Sequence, residues 1–142
     1  MNLTADVSYV TTKNFNKNDG LQMKTILIVD DALEVREMLN DFLTMQKFGT
    51  LQAENGVEAM KIVGKSHPDL AIVDIEMPQM NGLEFARWAS NAFPEMPIII
   101  ISAYLEKYSL EFINNLGVKK VLRKPLDLRQ LKEEIDAIIA NR

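Results

Sequence analysis

The sequence predicts an α/β protein in which a parallel sheet is wound on both faces by helices. Three observations lead there. From Thr25 onward, short apolar runs alternate strictly with longer amphipathic segments, the pattern of repeated βα units. Three of the runs are almost wholly aliphatic, as strands covered on both faces should be. Polar residues with useful chemistry stand directly after most of the runs, where the C-terminal edge of a parallel sheet collects them.

The strand candidates are ILIV (26–29), TLQA (50–53), LAIV (70–73), PIIII (97–101) and VKKVL (118–122). The second and fifth are mixed in character, which places them at the sheet edges. The first helix is EVREMLNDFLTMQ, whose Val35, Met38, Leu39, Phe42, Leu43 and Met45 form one apolar face, with Gly49 as its stop. GVEAMKIVGK makes a shorter second helix. GLEFARWASNAF makes a third, with Leu83, Phe85, Ala86 and Trp88 partly facing the core. YLEKYSLEFINNLG reads as a fourth helix ending at Gly117. The fifth starts at Asp127 as N-cap and carries Leu128, Leu131, Ile135, Ile138 and Ile139 as its stripe.

At 142 residues the chain fits one ordinary domain. Residues 1–22, rich in Asn, Thr, Lys and Asp, read as a flexible N-terminal extension, with Val7, Tyr9 and Val10 as docking candidates and Met23 as an alternative start; 23–142 is the domain. A net charge of −4 argues against a broad nucleic-acid surface. The absence of cysteine excludes disulfides, thiolate metal sites and thiol nucleophiles. Neither a secretory signal nor a run of membrane-spanning length is present, so the cytoplasm is the expected location and no membrane partner is expected.

The rim of the sheet is where the chemistry gathers. ILIV is followed by Asp30 and Asp31, LAIV by Asp74, PIIII by Ser102 and, one residue on, VKKVL by Lys124. Each has an ordinary reading alone: Asp31 as a helix cap, Asp30 and Asp74 as loop carboxylates, Ser102 as structural, Lys124 as a surface lysine. Their conjunction at corresponding strand ends favours a shared site. Two unit charges about 4 Å apart repel by ~4 kcal/mol at an effective dielectric near 20, so three clustered carboxylates need counter-charge. Lys124 supplies one positive charge, and an all-oxygen site with room for phosphate suits Mg²⁺. A carboxylate beside a lysine and Mg²⁺ is also a credible phosphoryl acceptor.

The motifs ILIVDD, DIEMPQMNG, IIIISA and RKPL, in that order and spacing, resemble the response-regulator receiver domains of two-component signalling, over about Lys24 to Asn141. The resemblance, not the periodicity, implies a flavodoxin-like sheet order of 2-1-3-4-5 flanked by five helices. It implies Asp74 as phosphoacceptor, Asp31 as a direct Mg²⁺ ligand, Asp30 as an acidic partner acting through water, and the backbone carbonyl of Glu76 completing the protein's share of the metal shell. It further implies Ser102 as the hydroxyl that binds the phosphoryl group, Lys124 as its ion-pair partner, and a cis peptide at Lys124–Pro125. The implied donor is a sensor histidine kinase or a histidine phosphotransfer protein. The implied output is an unknown downstream protein, met through the face made by helix 4, strand 5 and helix 5, with no direct nucleic-acid contact. A homodimer through that face is a further expectation of the resemblance.

The chain departs from the family pattern at Val121, where an aromatic residue that swings inward often stands three residues before the lysine. Tyr104 reads as a wall of the access path or a partner contact. The Glu76 side chain reads as a solvated loop carboxylate, set against a role in controlling water access to the phosphoryl group. Met77 and Met80 flank the site loop and are expected to be exposed. His67 enters from the opposite edge of the sheet and is assigned no role. Lys119, Lys120, Arg123 and Arg129 form a basic cluster, a solvated face with the charge to meet an acidic partner. The leading functional reading is a stand-alone receiver. Against it stand a receiver cut from a larger regulator, a small aspartyl-phosphate phosphatase, and a docking domain that is never phosphorylated.

Overall fold

The computed structural model describes residues 15–16 and 21–141. Five parallel strands, β1 (Thr25–Val29), β2 (Gly49–Ala53), β3 (Leu70–Asp74), β4 (Ile98–Ser102) and β5 (Lys120–Arg123), form one sheet in the order β2-β1-β3-β4-β5. The strand order, and the edge positions of the two mixed strands, agree with expectation. Five helices connect and follow them: α1 (Leu33–Met45), α2 (Gly56–Ser66), α3 (Gly82–Ala92), α4 (Leu110–Asn114) and α5 (Leu128–Ala140). A separate two-stranded antiparallel ribbon pairs Phe15–Asn16 with Leu21–Gln22. The extension expected over residues 1–22, with its docking candidates Val7, Tyr9 and Val10, otherwise lies outside the described residues.

The alternation of side chains along each strand divides the core in two. Ile26 and Ile28 of β1, Ile72 of β3 and Ile99 and Ile101 of β4 pack with Leu39 and Leu43 of α1 and Leu131 and Ile135 of α5. Leu27, Val29, Val73 and Ile100 face the other way, onto Ile62 of α2, Phe85 of α3 and Ile113 of α4. Both faces of the three central strands are therefore dry, which explains their unbroken aliphatic composition.

Helix starts are set by side chains that satisfy exposed N–H groups. Asn55 accepts from the Glu58 N–H, Ser109 from that of Phe112, and Asp127 from those of Arg129 and Gln130. Asn81 and Glu84 form a reciprocal capping box at α3.

Four local expectations are corrected. Helix α1 ends at Met45, before Gly49, because Lys47 takes the left-handed conformation (φ 74°); Gly49 opens β2 instead. On the same helix Met38 and Met45 lie outside the buried face, at 40% and 76% exposure. The single fourth helix read from Tyr104 to Gly117 is broken into a 3-10 turn at Leu105–Lys107 and the short α4, because Ser109 caps a new start. Met77 is buried and Met80 packs against the core, so neither is an exposed flank.

Candidate functional site

The strand ends deliver five residues to one rim. Asp30 follows β1, and its N–H donates to the Ala53 carbonyl at 3.1 Å, which continues the sheet by one residue. Asp74 and Ser102 close β3 and β4, and Lys124 follows β5 with its N–H on the Ser102 carbonyl at 2.9 Å. The peptide between Lys124 and Pro125 is cis, as the resemblance implied. Asp30, Asp74 and Ser102 are buried at 0%, 2% and 0% exposure, whereas Asp31 is exposed.

Lys124 reaches across this rim. Its ammonium donates to Asp30 Oδ2 at 2.9 Å and lies 3.3 Å from Asp74 Oδ1. Burial alone would lower the lysine's pKa, but the hydrogen bond to Asp30 and the charges of Asp74 and Asp30 outweigh it and raise the value. Asp30 Oδ1 accepts the Ala32 N–H at 2.9 Å, so this carboxylate is engaged at both oxygens. Arg36 fixes the same turn by donating to the Asp30 carbonyl at 2.7 Å and to Gln52 at 3.2 Å. Asp31 does not cap α1, because the N-cap is Ala32 and no side chain bonds there.

Asp74 is the strained member. Its Oδ1 is buried and lies 3.3 Å from the Lys124 ammonium, an ion pair too loose to count as a hydrogen bond, with no other partner among the described residues. Desolvation, followed by the charge of Asp30, lifts its pKa from 3.8 to about 7 despite the opposing pull of Lys124. One oxygen from each of Asp30, Asp31 and Asp74 lies within 4.8 Å of the others. Three convergent carboxylate oxygens are the donor set of a hard divalent cation. Gly82 makes the geometry possible: a Cβ there would collide with the Asp74 carbonyl oxygen.

One site residue departs from expectation and one was not anticipated. The Glu76 side chain is half-buried rather than solvated: its Oε2 accepts from the Ser102 hydroxyl at 2.8 Å and from the Tyr108 hydroxyl at 2.9 Å. Tyr108 was missing from the sequence reading of the site. Burial and its bond to Glu76 push its phenol up to about 12. Tyr104 is half exposed, gives its N–H to Ser102 Oγ at 2.9 Å, and has the Lys107 ammonium 4.7 Å from its ring centre.

His67 stays at the opposite edge, where it ends α2 with φ 50° and meets Phe93 at 5.7 Å between ring centres. Two members of the basic cluster carry acidic partners, Lys120 with Glu134 at 3.4 Å and Arg123 with Glu106 at 2.6 Å. No helix among the described residues is long and apolar enough to cross a membrane.

Comparison with known proteins bears on the family and the fold. A family model described as the response regulator receiver domain matches residues 26–136. The chain is 33% identical over 110 residues to sporulation initiation phosphotransferase F of Bacillus subtilis, a match covering 78% of this chain and 89% of that protein. It is 37% identical over 117 residues to the Regulator of RpoS of Escherichia coli K12, covering 82% of this chain but 35% of that protein. Among solved structures, the response regulator TrrA of Thermotoga maritima, in complex with Mg²⁺ and beryllofluoride, superposes with a TM-score of 0.76 at 34% identity. That superposition covers 82% of this chain and 99% of TrrA.

Proposed function

Because the chain belongs to the response regulator receiver domain family, we propose that it is a phosphoacceptor switch in which Asp74 takes a phosphoryl group from a phosphohistidine. The donor is a sensor histidine kinase or a histidine phosphotransfer protein. Residues 23–142 form the receiver, which encloses the family match at 26–136, and the protein works in the cytoplasm. The observation that carries the reading is Asp74 itself: buried, with one oxygen unbonded, beside Lys124 and two further carboxylates.

The chemistry follows from what these residues offer. Asp74 Oδ1 keeps its lone pairs uncommitted and so can attack phosphorus. As the new O–P bond forms, the N–P bond of the donor breaks. Its electron pair returns to the ring nitrogen of a protonated imidazole, which leaves neutral. Lys124 stands 3.3 Å from the attacking oxygen, placed to pair with the incoming phosphoryl oxygens. Asp30 holds that ammonium in place, and the Ser102 hydroxyl, bonded to Glu76 before phosphorylation, is the donor the phosphoryl group would engage. Asp30, Asp31, Asp74 and the Glu76 carbonyl would hold Mg²⁺; when bound, the cation supplies positive charge that favours the ionised carboxylate and offsets charge on the phosphoryl oxygens. Later attack of water on phosphorus breaks the P–O bond to Asp74 and restores the carboxylate.

The output is a change in a protein-binding face built from α4, β5 and α5. A phosphoryl group carries about two negative charges and makes contacts that the free carboxylate lacks, which is the differential interaction a population shift requires.

Incubation with Mg²⁺ and acetyl phosphate, read by intact mass, tests the proposal. A single labile phosphoryl adduct, lost in Asp74→Asn, is expected. Turnover of diverse phosphate esters would instead mark a phosphatase, and the absence of any adduct a docking domain.

A further inference from the structure

Glu76 Oε2 gathers two hydroxyls, those of Ser102 and Tyr108, at 2.8 and 2.9 Å. A serine hydroxyl has one proton to donate. Here that proton is committed to Glu76, while Ser102 Oγ accepts the N–H of Tyr104. A phosphoryl group on Asp74 that draws a hydrogen bond from Ser102 must therefore take it away from Glu76. The two acceptors compete for one proton. Charge adds to the competition, since Glu76 and Asp74 already repel and a phosphoryl group roughly doubles the negative charge at Asp74.

The other end of the network lies at a structural joint. Tyr108 ends the 3-10 turn Leu105–Lys107 and immediately precedes Ser109, the N-cap of α4. Its ring packs on the core cluster beneath α2, α3 and α4, so its hydroxyl bond ties the loop after β3 to the start of α4. Leu110 and Phe112, just beyond this joint, are 53% and 44% exposed.

We propose that Glu76 is a latch which competes with the phosphoryl group for Ser102, and that Tyr108 reports the outcome to α4. In the unphosphorylated chain Glu76 holds both hydroxyls. Phosphorylation transfers Ser102 to the phosphoryl group, drives the Glu76 carboxylate away, and frees Tyr108 with the first turn of α4. The latch rests on Asp74 being the phosphoacceptor. It gives the chain an aromatic coupling residue on the β4–α4 connection, although Val121 stands on β5.

The test loads the full chain with Mg²⁺ and beryllofluoride, follows loading by fluorine NMR, and measures amide hydrogen exchange over residues 108–113. Wild type, Glu76→Ala and Tyr108→Phe are compared. Tyr108→Phe is the decisive variant, because it leaves the Glu76 charge and the packed ring in place. On loading, wild type should exchange faster at these amides, whereas Tyr108→Phe should exchange fast before loading and change little. With one bond to the unloaded form removed, Tyr108→Phe should also bind beryllofluoride about 3- to 10-fold more tightly. Glu76→Ala should bind more tightly still. Loading of wild type with unchanged exchange at 108–113, or wild-type affinity in Tyr108→Phe, overturns the latch alone. No Asp74-dependent loading of wild type overturns the phosphoacceptor reading and the latch with it.

Discussion

Replacing Asp74 by Asn should stabilise the metal-free protein, and by an amount that depends on pH. The Asp74 pKa of about 7, against 3.8 for the ordinary group, means that the folded chain holds its proton more tightly than the unfolded chain. Between these two values the folded state binds a proton that the unfolded state has released, so stability falls as pH rises through the window. Above pH 7 both forms are ionised, and the full penalty of about 4 kcal/mol applies. Below about pH 3 both are protonated and the penalty vanishes. Asn is neutral throughout and of the same shape, so it escapes the penalty without opening a cavity. Urea unfolding in EDTA at pH 4, 6 and 8 measures this, because the other titrating groups are common to both proteins and cancel in the difference. The variant should lie within about 1 kcal/mol of wild type at pH 4 and exceed it by about 2–4 kcal/mol at pH 8. A difference that stays constant across that range would refute the argument that burial beside Asp30 strains Asp74. Adding Mg²⁺ at ten times its dissociation constant should return about 1.4 kcal/mol to wild type at pH 8.

Lys124→Met should cost about 3 kcal/mol at pH 7 in urea unfolding, because it leaves Asp30 fully buried without the ammonium 2.9 Å away. The loss should shrink when Mg²⁺ is added, since the cation replaces part of the missing charge. Gly82→Ala should cost about 1–3 kcal/mol and slow adduct formation from acetyl phosphate. The added Cβ would meet only backbone, at the Asp74 carbonyl and Ile75 Cα, so the end of β3 must move.

How much of this was legible in the sequence differs sharply between the sheet and its connections. The strands were legible because dry packing on both faces leaves an unbroken aliphatic run, and because the ends of such runs fall on one rim. The rim residues Asp30, Asp31, Asp74, Ser102 and Lys124 were found for that reason. The resemblance added the strand order and the cis peptide. Boundaries that depend on one backbone conformation were not legible: Lys47 adopts the left-handed region that glycine usually takes, and the nearby Gly49 drew the helix end toward itself. The break before α4 did leave a signal, since Ser109 stands just ahead of Leu110 and Glu111 in the position of a cap. Tyr108 left none. Its place against Glu76 depends on the 3-10 turn that brings it back over the rim, and 32 residues separate the two in sequence.

The three carboxylates are chemically identical in sequence, and their surroundings divide the work among them. Asp30 has both oxygens committed, one to the Ala32 N–H and one to Lys124, so it anchors the lysine and has little freedom to attack anything. Asp31 is exposed, which leaves its oxygens available to a partly hydrated cation. Asp74 alone combines burial with an oxygen that accepts no hydrogen bond among the described residues. Burial and the neighbouring charge of Asp30 keep its pKa high, with Lys124 pulling the other way. The penalty measured by Asp74→Asn at pH 8 is thus free energy that a bound cation can relieve, by supplying the positive charge that the buried carboxylates lack. A site relaxed enough to abolish that penalty would also have less reason to bind the cation.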